Sequence, residues 1–251
     1  MRFLVTSDTH FGSSDSSRDQ KNAAFIERAK REDVEWVAVT GDLTDGGRDG
    51  IVTCTCLAPF IGGNNWFVGG GQDNQLGKLI NDFVTPLVNA GKPTYLIQGN
   101  HDTYNGAHRY PVADYVRRRH GELYYIVERG GVIFAFLDVY PTGNIRSWLW
   151  GELNRRRATE KRTPIVFFTH YNLCDAYSDW WPNDDKEAFY SLFKDANVLG
   201  IFVGHNHTSY TYTWKTWPVF STAGFQYAVA DIDPLSGRLT VTFEPKPTVS
   251  S

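Results

Sequence analysis

Cysteine is scarce in this sequence: 251 residues include only three, Cys54, Cys56 and Cys174. So few cysteines, and an odd number of them, exclude the disulfide framework that holds many small secreted domains together. Cys54 and Cys56 have the spacing of half a metal site, but no second cysteine pair completes it. We therefore expect three free thiols, with a redox or disulfide role as the alternative.

The sequence also lacks long apolar runs and a strong excess of charge. No run approaches the length that spans a bilayer, and the first residues enter an apolar strand without the core of a signal peptide. We therefore expect a cytoplasmic protein with no membrane span. The formal net charge of −3 argues against a broad nucleic-acid surface but is compatible with a small phosphorylated substrate in a locally positive site. The oligomeric state is left open.

The hydrophobic content of 41% and the charged content of 21% are typical of a globular protein. Apolar strands alternate with amphipathic helices. Strand 3–5, helix 20–31 and strand 36–39 predict a parallel β-α-β unit with a right-handed crossover. The later predicted elements are a helix at 76–88, a strand at 94–98, a helix at 111–119, a hairpin of 123–128 and 132–137, a helix at 145–158, a strand at 165–168, a helix at 186–196 and a strand at 198–203.

Two segments depart from this alternation. Residues 43–75 are rich in glycine, asparagine and aromatic residues, and so long an irregular segment in a compact domain usually serves function. We expect a lid or rim over a site there, with a tolerated surface insertion as the alternative. Residues 208–247 alternate polar and apolar side chains, which predicts antiparallel C-terminal strands. Since no linker or repeat interrupts the chain, we expect a single domain over residues 1–251.

Side chains of the types that bind metal ions follow the ends of five predicted strands. The chain reads Asp8-Thr9-His10, Gly41-Asp42, Gly99-Asn100-His101-Asp102, Thr169-His170 and Gly204-His205-Asn206-His207 at these points. In α/β sheets, ligands bind at the carboxyl ends of the strands, so we expect these side chains to converge on one edge. A lone histidine is usually a structural residue. Five of the seven histidines at equivalent positions favour a metal site instead.

The residue types indicate the kind and number of metal ions. Asp8 and His10 are two residues apart, as are His205 and His207, and on an extended chain this spacing places both side chains on one face. Carboxylates and imidazoles without a thiolate suit iron, manganese or zinc, and ligand type does not choose among them. Eight candidate groups are too many for one ion and fit two. Asp42, alone at its strand end, is the natural bridging carboxylate.

These five blocks, in this order over residues 8–207, resemble the calcineurin-like metallophosphoesterase superfamily. The resemblance implies an α/β fold, a four-layer α-β-β-α sandwich of two mixed sheets flanked by helices, with a dinuclear metal centre. It implies ligands to the first ion at Asp8, His10 and His207, a bridging Asp42, and ligands to the second ion at Asn100, His170 and His205. It also implies that His101 is a non-ligand histidine that stabilises the transition state or protonates the leaving oxygen, with Asp102 placed to orient it.

The activity that the resemblance implies is hydrolysis of a phosphoester. Two cations lower the pKa of a bridging water and bind the phosphoryl oxygens, so no serine or cysteine nucleophile is required. A rival hypothesis is a non-catalytic scaffold that keeps the fold and binds a partner. We would expect such a scaffold to lack a ligand or His101, and every position is filled.

Differences from subfamily patterns favour a phosphodiesterase. Protein serine/threonine phosphatases carry Gly-Asp-x-Val-Asp-Arg-Gly, whereas residues 41–47 read Gly-Asp-Leu-Thr-Asp-Gly-Gly, without the arginine that grips phosphate. Purple acid phosphatases place a tyrosine ligand where this chain has Asp45. At these positions the chain is more similar to class III cyclic nucleotide phosphodiesterases. A phosphomonoesterase of the same superfamily is the alternative.

Several aromatic residues near the strand ends leave two interpretations open. Either they line a pocket for a base, sugar or aryl group, or they simply pack the loops. The residues concerned are Tyr104, Tyr140, Tyr171, Trp180 and Trp181.

Overall fold

A computed structural model describes residues 1–45, 75–103, 111–156, 158, 163–174, 178–233 and 236–246 of the chain. The expected lid or rim segment 43–75 lies almost wholly outside these residues, as do Cys54, Cys56 and Tyr104. The third cysteine, Cys174, is exposed. No helix within the described ranges is long and apolar enough to cross a membrane.

The described residues form eleven strands in two mixed sheets. The strands are β1 Arg2–Thr6, β2 Trp36–Thr40, β3 Thr94–Ile97, β4 Tyr124–Arg129, β5 Val132–Leu137, β6 Ile165–Phe168, β7 Val198–Val203, β8 Tyr210–Trp214, β9 Trp217–Ser221, β10 Gln226–Ile232 and β11 Leu239–Pro245. The sheet orders are β11-β10-β1-β2-β3 and β4-β5-β6-β7-β9-β8. Within them β1 to β3 are parallel, as are β5 to β7. Each parallel block therefore directs its carboxyl ends to one edge.

The described residues form seven α-helices, most of which cover the outer faces of the two sheets. They are α1 Ser16–Ala29, α2 Gln75–Lys78, α3 Thr85–Asn89, α4 Asn100–Thr103, α5 Pro111–His120, α6 Gly143–Arg155 and α7 Asn183–Phe193, with a π-helical turn Leu79–Val84 between α2 and α3 and a 3-10 turn Ser178–Trp180. Hydrophobic periodicity predicted the long helices but not their first residues. Helix α1 begins at Ser16 rather than at residue 20 because the Asp15 side chain caps it, accepting a hydrogen bond from the Ser17 backbone N–H.

The core has three parts, which confirm the expected four layers. Side chains alternate along β1: Phe3 and Val5 lie between the two sheets, whereas Leu4 packs with the helices on the outer face of the five-stranded sheet. Between the sheets Phe3 stacks on Trp36, with ring centroids 4.2 Å apart. A third cluster joins α6 and α7 to the outer face of the six-stranded sheet. The layers are therefore helix, sheet, sheet and helix.

The C-terminal strands expected over residues 208–247 divide between the two sheets. β8 and β9 pair antiparallel at the edge of the six-stranded sheet, where β9 also runs parallel to β7. β10 pairs antiparallel with both β1 and β11. As a result β1 lies in the interior of its sheet, between β10 and β2.

His120, the last residue of α5, is expected to make stability depend on pH. Its Nε2 accepts a hydrogen bond from the Leu96 backbone N–H at 3.3 Å, and its ring stacks on Tyr125 with centroids 4.3 Å apart. Burial lowers the pKa of His120 from 6.5 to about 3. Between these values the unfolded chain therefore binds a proton that the folded chain does not. The free energy of unfolding should fall as the pH drops from 6.5 toward 3, by at most about 1.4 kcal/mol per pH unit.

Urea unfolding at a series of pH values, followed by circular dichroism, measures this slope. His120→Gln keeps a hydrogen-bond acceptor but does not titrate, so its free energy of unfolding should fall less steeply over the same pH range. Equal slopes for the wild type and His120→Gln would contradict the assignment.

Candidate metal centre

The seven predicted ligands lie together at the carboxyl ends of parallel strands. They are Asp8 and His10 after β1, Asp42 after β2, Asn100 after β3, His170 after β6, and His205 and His207 after β7. The ligand atoms of six of them form two groups, within each of which all atoms lie within 4.8 Å of one another, and the seventh, Asn100, lies beside His170. The first group is Asp8, His10, Asp42 and His207, and the second is Asp42, His170 and His205. Asp42 belongs to both groups.

The backbone has an unusual conformation at five of these positions. The angle φ is 54° at Asp8, 43° at His10, 48° at Asp42, 74° at His205 and 53° at His207. Residues other than glycine rarely adopt this left-handed region, and those that do gather at functional sites because the surrounding structure must hold them there. Two glycines make the close packing possible. A Cβ at Gly99 would collide with Asp42, and one at Gly204 would collide with Ser7.

Side chains of the first group converge from β1, β2 and β7. His207 Nε2 lies 3.3 Å from Asp8 Oδ1 and 3.2 Å from His10 Nε2. His10 Nε2 also lies 3.6 Å from Asp42 Oδ2. The His205 backbone N–H donates to Asp8 Oδ2 at 3.2 Å, which fixes the orientation of that carboxylate. The two facing imidazole nitrogens and the two carboxylates therefore have the arrangement expected of ligands around a cation.

The side chains of the second group also converge, and a hydrogen bond defines the tautomer of His170. His170 Nδ1 lies 2.8 Å from the Thr40 carbonyl oxygen, which can only accept, so Nδ1 carries the proton and Nε2 offers a lone pair. That Nε2 lies 2.9 Å from Asn100 Oδ1 and 3.3 Å from Asp42 Oδ1. Three acceptor atoms at these distances repel one another unless a cation or a proton lies between them. A backbone carbonyl that holds the outer ring nitrogen is the usual support of a metal-binding histidine.

The shifted pKa values at the site also favour a bound cation. Burial raises the pKa of Asp42 well above its ordinary value, and the Asp8 and Asp102 carboxylates raise it further. Burial lowers the pKa of His10 to about 3 and also lowers the pKa of His170, which keeps both imidazoles neutral and able to bind metal. A bound cation offsets the repulsion among the carboxylates. The oxygen and nitrogen donors fit iron, manganese or zinc.

His101 lies beside the two groups of ligand atoms, and a backbone carbonyl from neither group holds its ring. Its Nδ1 lies 2.6 Å from the Asp45 carbonyl oxygen, and its Nε2 lies 4.0 Å from Asp42 Oδ2. Its backbone N–H donates to Asp42 Oδ1 at 2.9 Å. The His101 side chain is 30% exposed, whereas that of Asp42 is 1% exposed. The ring is therefore accessible to a substrate while its backbone helps to orient the shared carboxylate.

Asp102 does not orient the His101 ring, which corrects the expectation from the sequence. The Asp102 carboxylate is fully buried and accepts hydrogen bonds from the backbone N–H groups of Leu43, Thr44 and Gly99, each at 2.9 Å, and from Thr44 Oγ1 at 2.8 Å. The physical reason is that these donors lie in two adjacent loops and fill its acceptor sites. Asp102 therefore ties the loop that carries Asp42 to the turn that carries Asn100.

A cavity of about 270 Å³ opens onto the site. Its described lining consists of Asp42, Asn100, His101, Trp180, His205, Asn206 and His207. Of the aromatic residues singled out in the sequence, Trp180 lines this cavity, whereas Trp181 is fully buried in the cluster beneath α7. Tyr140 and Tyr171 also pack in that cluster. Trp180 therefore lines a cavity, whereas Trp181, Tyr140 and Tyr171 pack with neighbouring side chains.

Sequence reasoning missed the groups that hold the ligands in place. Tyr210 Oη accepts hydrogen bonds from Asn206 Nδ2 and Asn172 Nδ2, both at 3.0 Å, and thereby fixes the residue between His205 and His207. Arg18 Nη1 donates to the Asp8 backbone carbonyl at 2.9 Å. The position of Asn206 between two histidines was a usable signal for the first network. No local pattern marks Arg18.

A family model described as calcineurin-like phosphoesterase matches residues 1–209. No curated protein matches the chain significantly. Among solved structures, the chain is similar to a dimetal phosphatase from Danio rerio, with 12% identity, a TM-score of 0.71, and coverage of 98% of this chain and 96% of that one.

Two further structural likenesses span most of this chain. GAP50 of Plasmodium, the anchor in the inner membrane complex, has 12% identity and a TM-score of 0.62, covering 100% of this chain and 87% of that one. Purple acid phosphatase PPD1 from yellow lupin (Lupinus luteus) seeds has 12% identity and a TM-score of 0.57, covering 98% of this chain but 51% of that one. At such low identity these likenesses establish the fold.

Proposed function

The chain belongs to the calcineurin-like phosphoesterase family and is a metal-dependent phosphoesterase, and on this premise we propose that it hydrolyses phosphodiesters of small molecules. The observation that carries the proposal is the pair of ligand groups that share Asp42 at the base of one cavity. A phosphomonoester is the alternative substrate.

Each ion has its own proposed ligands from this chain. Asp8, His10 and His207 would hold the first ion, Asn100, His170 and His205 would hold the second, and Asp42 would be shared by both. When bound, two such ions lower the pKa of a water and bind phosphoryl oxygens during in-line attack. The buried carboxylates and neutral imidazoles described above support this assignment. Manganese, iron and zinc all suit these ligands.

His101 acts on the substrate rather than on the ions. The Asp45 carbonyl fixes its Nδ1 proton, so Nε2 faces the cavity beside Asp42. When the ring carries protons on both nitrogens, Nε2 can donate its proton or a hydrogen bond from that position to the oxygen that leaves phosphorus. A positioned acid of this kind typically contributes roughly 10²–10⁴ in rate.

The charge of the cavity favours a diester over a monoester. At neutral pH a phosphodiester carries one negative charge and a monoester carries up to two. None of the cavity's described lining residues is a lysine or arginine, so these residues offer no permanent side-chain cation to offset the second charge. This agrees with the absence of an arginine among residues 41–47.

Hydrolysis of bis(p-nitrophenyl) phosphate and of p-nitrophenyl phosphate, with Mn²⁺, Fe²⁺ or Zn²⁺ added to metal-free protein, tests the proposal. We expect kcat/KM for the diester to exceed that for the monoester at least about tenfold, a difference of about 1.4 kcal/mol in the barrier. Chelation should abolish both activities, and metal addition should restore them. A higher value for the monoester would favour the alternative, and rates no higher than those of metal alone would overturn the proposal.

We further propose that residues 1–251 form one domain. The first strand pairs with β10 near the C-terminal end, and one cluster of side chains joins both sheets. Limited proteolysis tests this proposal, because separate domains would yield two resistant fragments.

A further inference from the structure

We propose that the indole of Trp180 is the platform on which an aromatic group of the substrate stacks, so that the preferred esters carry a flat ring, either a nucleobase or an aryl group, close to phosphorus. This inference rests on the proposed function and names the substrate class of the same site. It concerns a side chain that has no part in holding the metal ions.

The position of Trp180 in the cavity is the first observation. Every other described lining residue is an aspartate, an asparagine or a histidine. Trp180 is therefore the one large hydrocarbon surface among them, and it is 45% exposed. Exposure by itself proves little, since Trp150 on α6 is 39% exposed. The difference is that Trp150 is not among the described residues that line the cavity.

The way Trp180 is held is the second observation. Its neighbour Trp181 is fully buried and packs against Phe189 and Tyr140, with ring centroids 5.7 Å and 6.1 Å apart. Trp180 itself meets Tyr171 edge to face at 5.7 Å. Two consecutive tryptophans thus have different tasks: one anchors the 3-10 turn in the core, and the other presents its ring to the cavity.

The distance from Trp180 to the ligands sets what it can contact. Its ring centroid lies 5.1 Å from that of His205, a proposed ligand of the second ion. A substrate bound beside His205 would therefore lie within reach of the indole. A ring joined to phosphorus through one oxygen, or through a sugar, can reach it, whereas a methyl group has no surface to stack. Stacking of a base on an aromatic side chain depends little on which base it is, and it increases affinity by a factor of roughly 5–150 per ring.

The test compares inhibition by three phosphate monoesters that differ only in the attached group: methyl phosphate, phenyl phosphate and adenosine 5′-monophosphate. Each is measured as a competitive inhibitor of diester hydrolysis by manganese-loaded wild type, Trp180→Ala, Trp180→Phe and the matched control Trp150→Ala. For Trp180→Ala we expect the inhibition constants of the ring-bearing compounds to rise roughly 5–150-fold and that of methyl phosphate to change less than about twofold. Trp180→Phe should recover most of the loss, and Trp150→Ala should match the wild type.

The two ring-bearing inhibitors distinguish the possible sources of the ring. A larger loss for phenyl phosphate indicates aryl esters, and a larger loss for adenosine monophosphate indicates nucleotides. Equal losses for all three compounds, or no loss for any, would overturn the inference while leaving the phosphodiesterase proposal intact.

Fluorescence separates this inference from the proposed function. Quenching of tryptophan emission by adenosine 5′-monophosphate, present in the wild type and reduced in Trp180→Phe, would support stacking even if the protein hydrolysed no ester. If the wild type hydrolyses diesters and the two proteins are quenched equally, the inference is wrong and the function stands.

Discussion

His101→Ala is expected to lose roughly 10²–10⁴ of the wild-type kcat while it retains both metal ions. The reason is the geometry of the ring, whose Nε2 lies 4.0 Å from Asp42 and faces the cavity, while Nδ1 pairs with the Asp45 carbonyl oxygen. The loss should appear in kcat more than in KM, because the interaction strengthens as charge develops on the leaving oxygen. Steady-state kinetics and metal analysis of the purified variant measure both quantities.

His205→Ala is the matched control, because its imidazole lines the same cavity but belongs to the second ligand group. We expect it to lose metal as well as activity. Loss of metal from His101→Ala would also have a structural basis, because ligand atoms of His10, Asp45 and His101 lie within 4.8 Å of one another. If His101→Ala also lost metal, His101 would be a ligand and its proposed role as an acid would be wrong.

Asp102→Ala is expected to lower the free energy of unfolding by roughly 3–5 kcal/mol and to weaken metal binding by about 10–100-fold. Four hydrogen bonds end on this buried carboxylate, from Leu43, Thr44 and Gly99. Without it, three backbone N–H groups lose their acceptor, and the loops that carry Asp42 and Asn100 are no longer joined. Urea unfolding and titration of metal into the metal-free protein measure the two effects.

Thr44→Val provides a graded control, since it removes the side-chain hydrogen bond to Asp102 and leaves the three backbone bonds in place. It should cost about 1 kcal/mol and leave metal affinity near the wild-type value. If Asp102 acted only by orienting His101, Asp102→Ala would resemble His101→Ala, with normal stability and normal metal content. That result would reject the structural role that its hydrogen bonds indicate.

The arrangement of strands and helices was accessible from the sequence because it depends on periodicity. Apolar runs predicted β1, β2, β3, β6 and β7, and residues after each run supplied the candidate ligands. Helix starts were less accessible, as α1 shows, because one capping side chain at Asp15 extends it by a turn. The expected lid over 43–75 stays a prediction, since almost all of it lies outside the described residues.

The seven candidate ligands could be named from the sequence because strand order and parallel pairing bring strand ends to one edge. The structure gathers six of the seven into two groups that share Asp42, and it places the seventh, Asn100, beside His170. Their roles as ligands are proposals that the metal analyses above test. What the motif could not reveal was the partner of Asp102, since adjacency in sequence to His101 suggested a contact that the fold does not make.

By itself, the sequence determined where side chains of the types that bind metal ions follow apolar strands, because both signals are carried by side chains and their spacing. Only the tertiary structure decided which carbonyl holds the His170 ring, which donors surround Asp102, and which of two adjacent tryptophans reaches the cavity. The physical reason is that backbone N–H and C=O groups are the same at nearly every residue. Their partners are therefore chosen by the distance between segments in the folded chain, which no local pattern encodes.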